Sequence, residues 1–380
     1  LHEALADEKP AVEVCKDLFA LGRIALNEGR YDEALALLTR SLDIIVALVP
    51  QGEHPQRART LRELGVCRRL RGELLEAEAL LTEAEARFSR IFGAQHVERA
   101  QALNELAGVR QALGDLQGAE RLAQEALVAF VAYAGTPWHL DVATARYQLA
   151  VILRQRGEVA GARVQVEQAL DAATRAAGQR HPIVPVLVHE LGVLALGEGE
   201  PAKGLPYVEQ ALALWRALHG GEVHPDYAAG LHTLGTLKRA MGDLPGARAA
   251  LTESLRLKTQ ILGDVPHPDR AATLNNLGAV LLKLGEHDEA RRCFLGCLAM
   301  ETALYGGRDN ANVAMSAVNL AQVERVLGAH VAARDRLRAA AATLERTLGA
   351  DHPTTVAVNG LLPTFEAAAA AAAAAPKAEA

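Results

Sequence analysis

Leu274-Asn275-Asn276-Leu277-Gly278, with Gly285-Glu286-His287-Asp288-Glu289-Ala290 starting seven residues beyond Gly278, is the stretch on which the fold turns. Its pattern is a small residue directly after Leu, a glycine seven later, and a second small residue five beyond that. The first small residue recurs as Gly22, Gly65, Ala107, Ala150, Gly192, Gly235, Gly278 and Ala321. The glycine recurs as Gly29, Gly72, Gly114, Gly157, Gly199, Gly242, Gly285 and Gly328. The second small residue recurs as Ala34, Ala77, Ala119, Ala162, Gly204, Ala247, Ala290 and Ala333. With a period of 42 or 43 residues, eight copies stay in phase in all three columns, so the chain is an internal repeat.

Each copy reads as a helical hairpin. The residue before the first small one is always Leu, from Leu21 to Leu320, and a second Leu usually precedes it by three, so one stripe of helix A is apolar. The following glycine ends that helix, because it adopts the left-handed conformation without a Cβ penalty. Helix B then alternates small and large residues, as in Ala290, Phe294, Cys297 and Leu298, which lets its backbone approach helix A. Each hairpin is left with apolar surface that only its neighbour can cover.

These columns, with His-Pro loops between hairpins, resemble the kinesin-light-chain type of tetratricopeptide repeat across residues 16–356. The resemblance implies an all-α, right-handed solenoid of eight hairpins that binds another protein and is not an enzyme. On this reading residues 1–15 are an N-terminal flank, and after Pro353 a ninth helix A begins and meets Gly360 and Pro363, with 357–366 a capping remnant. Residues 367–380 form an Ala-rich low-complexity tail. In the fifth repeat Pro206 falls inside helix B, where proline costs about 3 kcal/mol and kinks the helix. The stretch 197–206 is therefore expected to be a soft joint, or else helix B starts late there.

Composition excludes several partners. The net charge is −6, which provides no broad basic footprint for nucleic acid or an anionic membrane surface. No apolar run is expected to reach the roughly 20 residues that span a bilayer. Four cysteines without paired spacing suit a reducing, cytoplasmic setting, with a cytoskeletal or ciliary assembly as one location.

Neither a cofactor nor a metal is expected. The loop histidines His54, His96, His139, His181, His224, His267 and His352 recur with the repeat, so successive copies stand a hairpin apart and do not converge on one ion. Cys15, Cys67, Cys293 and Cys297 occupy columns filled elsewhere by small or apolar residues, and read as buried thiols. His189-Glu190-Leu191-Gly192-Val193 opens like a zinc-protease helix but has Val where the second His belongs.

One face of helix A remains. Positions six and three before the first small residue, and one and four after it, lie away from the Leu stripe, and in the resembled family that side lines the groove. These 32 positions carry Lys16, Arg23, Arg59, Arg62, Arg69, Arg154, Arg239 and Arg325, together with Asn104, Gln111, Tyr147, His189, His232, Asn275 and Gln322. None is acidic, although the chain has 46 acidic residues and about four would be expected by composition. Arg and Lys would pair with carboxylates, and Asn or Gln with peptide backbone, so an acidic partner segment is the expected ligand. Glu63, Glu105 and Glu190 sit immediately beside these columns and are expected to hold some of the arginines in place and to blunt the positive field. Two other roles fit the pattern: a regulatory or sensor segment of a larger signalling protein, and a static subunit of a large assembly.

Overall fold

Gly285 has φ 81°, and the other seven hairpin glycines share that left-handed geometry. The amide of Gly285 bonds the carbonyl of Leu282, and that of Glu286 bonds Leu281, which closes the helix end and reverses the chain. The computed structural model describes residues 2–50, 52–221, 223–263 and 265–374.

The helices are α1 (His2–Asn27), α2 (Tyr31–Leu48), α3 (Pro55–Leu70), α4 (Leu74–Phe92), α5 (Val97–Ala112), α6 (Leu116–Ala134), α7 (Leu140–Gln155), α8 (Val159–Ala177), α9 (Ile183–Gly197), α10 (Pro201–His219), α11 (Pro225–Ala240), α12 (Leu244–Leu262), α13 (Pro268–Leu284), α14 (His287–Tyr305), α15 (Ala311–Val326), α16 (His330–Leu348) and α17 (Pro353–Ala374). The fold is an all-α solenoid of helical hairpins, with no strand among the described residues. Contacts divide it into two units, Leu1–Leu194 and Ala195–Ala380. Within the first, α1, α3, α5 and α7 each touch the next odd helix or its predecessor; within the second, α11, α13, α15 and α17 do the same. Even-numbered helices do not touch one another among the described residues, so in each unit the odd helices form the inner layer.

Packing explains the small-residue column. A Cβ placed on Gly65 would stand 2.6 Å from Leu81 Cγ, and one on Gly278 would stand 2.8 Å from Phe294 Cε1. Sixteen residues separate each pair. Where the first member is Ala107, the sixteenth residue on is Ala123, so volume is traded across the hairpin. Leu64 and Cys67 pack against Ala25, Leu26 and Leu38, so each A helix also buries its Leu stripe on the preceding hairpin. Leu21, with no earlier hairpin among the described residues, is 52% exposed.

Several boundaries differ from the sequence reading. The residues read as an N-terminal flank are helical, since α1 runs without interruption from His2, and Cys15 is buried with its Sγ 3.3 Å from the Ser41 carbonyl. The ninth helix expected after Pro353 is α17, which continues through Gly360 and Pro363 and into the Ala-rich stretch as far as Ala374. Pro363 merely leaves the Asn359 carbonyl without its helical donor. Phe365 and Ala369 are buried, and Phe365 joins a core with Val318, Leu337 and Leu344. Residues 375–380 of the expected tail lie outside the described residues. Contrary to the expectation that no apolar run is long enough to span a bilayer, α17 is, by length and composition, owing to its alanines. Helix α10 begins on time at Pro201, which removes the late-start alternative and leaves Pro206 in its interior.

Candidate functional site

All twelve residues expected to line the partner-binding groove sit on odd helices and are half-buried. In the first unit they are Arg62 and Arg69 on α3, Asn104 and Gln111 on α5, Tyr147 and Arg154 on α7, and His189 on α9. The second unit has His232 and Arg239 on α11, Asn275 on α13, and Gln322 and Arg325 on α15.

In the first unit Arg62, Arg69 and Arg154 are already occupied. Arg69 Nη2 donates to Glu105 Oε2 at 3.1 Å, Gln148 Nε2 to Gln111 Oε1 at 2.7 Å, and Arg154 Nε to Glu190 Oε1 at 2.6 Å. Each bond joins one A helix to the next, with a sequence spacing of 36 or 37. Arg62 donates to Glu98 at 2.9 Å, to Gln101 at 2.5 Å and to Glu63 at 3.1 Å, while Arg59 shares Glu98 at 2.6 Å. The acids missing from the four columns therefore arrive from the next column over and from the first turn of α5. Glu98 was not singled out by sequence, although the 36-residue spacing from Arg62 repeats that of Arg69 to Glu105. His189 is not a cation here, because burial, aided by Arg154, lowers its pKa to about 4.

A cavity of about 350 Å³ opens on this inner face, with Leu26, Val66 and Leu70 as apolar wall and Arg62, Asn104 and Glu105 as polar wall. The Asn104 Oδ1 is buried and has no hydrogen-bond partner. Buried amide oxygens are normally paired, so this one stands ready for a donor.

The second unit uses amides where the first uses charges. His232 contacts Thr273 Oγ1 through Nδ1 and Asn276 Nδ2 through Nε2, both at 3.1 Å, and Asn319 Nδ2 donates to Asn275 Oδ1 at 2.8 Å. Thirty-six residues beyond Arg239 stands Asn275 instead of Glu, and the Arg239 Nε is buried with no partner. Arg325 lies 5.1 Å from the Phe365 ring centroid, a cation–π contact.

The loop histidines have a shared mechanical role. His54, His96, His139, His181, His224, His267 and His352 each accept, through Nδ1, the backbone amide two residues on, at 3.0–3.3 Å. They are helix N-caps. Asn310 takes that place before α15. Among the described residues one His/Asp trio, His219, His224 and Asp226, brings its donor atoms within 4.8 Å of one another, with the two rings stacked at 3.4 Å. His219 is off the repeat period, so the sequence pattern did not reveal the pairing. The His224 Nδ1 accepts the Asp226 amide, which leaves the ring proton on Nε2. A metal on Nε2 would have to displace that proton and disrupt the cap. The cysteines are buried or half-buried free thiols, and burial pushes Cys297 up to about 11, so it is unreactive at neutral pH.

The comparisons with known proteins agree with this architecture. The tetratricopeptide repeat profile matches residues 15–89, 64–130, 184–260 and 269–344, and further profiles of the same repeat match 142–183 and 232–295. No curated protein matches the chain significantly. Among solved structures, BtubC (BKLC) from P. vanneervenii is 25% identical over 63% of this chain and 94% of its own, with a TM-score of 0.52. A putative kinesin light chain of Podosopora anserina with nearly identical repeats is 24% identical over 56% of this chain and 99% of its own, with a TM-score of 0.48. A Rap protein complexed with competence and sporulation factor is 14% identical over 96% of this chain and 99% of its own, with a TM-score of 0.60. The repeat profile extends over more than half of the sequence, and the chain belongs to the tetratricopeptide-repeat family.

Proposed function

We propose that this protein-interaction scaffold holds an extended segment of a partner protein against its odd-numbered helices, without catalysing a reaction. The observation that carries the reading is the cavity between apolar Leu26, Val66 and Leu70 and the buried, unpaired Asn104 Oδ1. Such a surface offers a side-chain pocket beside a hydrogen-bond acceptor for a peptide amide. A Rap protein of this fold was solved with a bound factor, so the fold accommodates one.

In the first unit, Glu98, Glu105 and Glu190 neutralise Arg62, Arg69 and Arg154. The preference for acidic segments then rests on the other column cations, Lys16 and Arg23 in the first unit and Arg239 and Arg325 in the second. Arg239 lacks a carboxylate and is the cation best placed to receive one from a partner. Free thiols at all four cysteines agree with a reducing, cytoplasmic setting.

Photo-crosslinking amino acids at Val66 and at exposed Val128 test the reading in extract from the source cells. Capture of one partner from position 66, lost on Asn104→Leu in a protein of unchanged melting temperature, supports it. Capture from 128 alone would assign the role to the outer surface, as for a static assembly subunit.

A further inference from the structure

We propose that the inner layer of the second unit contains a socket for a basic side chain, Lys or Arg, of the bound partner segment. The inference rests on reading the odd helices as the partner surface, and adds a charge rule that the acid-free columns do not suggest.

The socket is a cavity of about 370 Å³ bounded by α13, α14 and α15. Two carboxylates, Asp269 and Glu301, line it, and no Lys, Arg or His does. The Glu301 Oε2 is buried and accepts no hydrogen bond, and the carboxylate otherwise meets only the Cys297 thiol, a weak donor one turn earlier, among the described residues. A carboxylate oxygen removed from water without a donor is costly, and an incoming ammonium or guanidinium supplies that donor. Glu301 also stands just before the last turn of α14, whose exposed carbonyl ends favour a cation nearby.

Neighbouring cations do not satisfy these acids. The Asp269 carboxylate is 69% exposed, and its ion-pair partner, His267, lies 3.9 Å away and is charged only when protonated. The Lys258 ammonium is spent on the Asp269 carbonyl at 3.2 Å and the Thr273 hydroxyl at 2.9 Å. Leu304 and Met315 supply apolar wall for the methylene stem that a Lys or Arg brings with its charge. Both acids lie outside the four groove columns, one in the first turn of helix A and the other near the end of helix B. A count of charge over those columns therefore misses them.

The test uses ¹³C-methyl-methionine NMR of the full chain, which has three methionines, with Met315 in the socket and Met241 outside it as control. The probes are acetyl-Ala-Ala-Arg-Ala-Ala-amide and the same peptide with Lys, citrulline or Glu at the centre. The Arg and Lys peptides should shift Met315 saturably and leave Met241 unmoved. Citrulline and Glu peptides should bind at least about tenfold more weakly, and Glu301→Gln or Asp269→Asn should weaken the Arg peptide by about tenfold. Equal shifts from the Arg and citrulline peptides would overturn the socket. So would undiminished Arg-peptide binding by a Glu301→Gln protein with native melting, or no Met315 shift from any peptide. None of these outcomes alters the crosslinking result at Val66, so the broader groove reading stands or falls separately.

Discussion

The Arg154 Nε donates to Glu190 Oε1 across 2.6 Å, and the Glu190 side chain is only 6% exposed. Removing the arginine leaves a buried carboxylate without its partner. Arg154→Met should therefore destabilise the first unit by about 2–4 kcal/mol, whereas Arg239→Met, which has no carboxylate partner to orphan, should change stability by less than about 1 kcal/mol. Urea unfolding followed by circular dichroism checks both. Equal midpoints for the two variants would refute the ladder as a stabilising device.

Gly65 and Gly278 should resist even a methyl group. The Leu81 side chain at 2.6 Å and the Phe294 ring at 2.8 Å leave no space for a Cβ, so each Gly→Ala change should cost about 1–3 kcal/mol despite the better helix propensity of alanine. Gly108, whose nearest neighbour to an added Cβ is 3.8 Å away, should be stabilised by up to about 1 kcal/mol by the same change. Melting temperatures of the three variants give the comparison.

The histidine caps make stability depend on pH. Each cap needs an unprotonated Nδ1. Burial lowers the His54 pKa, helped by Arg59 and Lys16, and burial also lowers that of His224, helped by His219 and opposed by Asp226. A folded-state pKa below the unfolded value means the contribution is complete above about pH 6.5 and is lost as pH falls from there toward the lowered values. Thermal melts from pH 7.5 to 5 should show this decline. Substituting His54→Asn and His224→Asn, which copy the cap at Asn310, should flatten it; an unchanged slope would locate the sensitivity elsewhere.

Phe365 should matter although it lies beside an alanine run. It is 2% exposed and shares a core with Val318 and Leu344. Phe365→Ala should cost about 3 kcal/mol locally and raise amide exchange in α16 and α17, with α11 to α13 unaffected. Hydrogen–deuterium exchange mass spectrometry resolves these segments. Unchanged exchange in α16 would mean that α17 does not cap the array.

The hairpins were legible because their signal is periodic: Gly285 and its seven counterparts end helices, and Leu64 and its counterparts after Leu21 face the preceding hairpin. Such features follow from the local chain. The charge state of the groove was legible in part: Glu63, Glu105 and Glu190 beside the columns bond Arg62, Arg69 and Arg154 as expected, whereas Glu98, in the first turn of α5, lies in a column the pattern did not bring forward. The start of α17 was legible from Pro353, but its continuation was not. Gly360 and Pro363 discourage a helix, but packing of Val358, Phe365 and Ala369 outweighs that local preference. His219 escaped notice because it follows no period and meets His224 only through the turn between α10 and α11.

The pairs Arg69–Glu105, Gln111–Gln148 and Arg154–Glu190 also write the order of the modules into the chain. The second, third and fourth repeats each hand their successor a matched group: cation to acid, then amide to amide, then cation to acid. If the third and fourth repeats exchanged places, Arg154 would still find an acid in Glu105, but Arg69 would face Gln148 and the buried Glu190 would face Gln111. Repeats with almost interchangeable backbones are thus not interchangeable parts, and duplication or shuffling within the first unit would break a sequence of complementary edges much as misplacing a tile breaks a pattern.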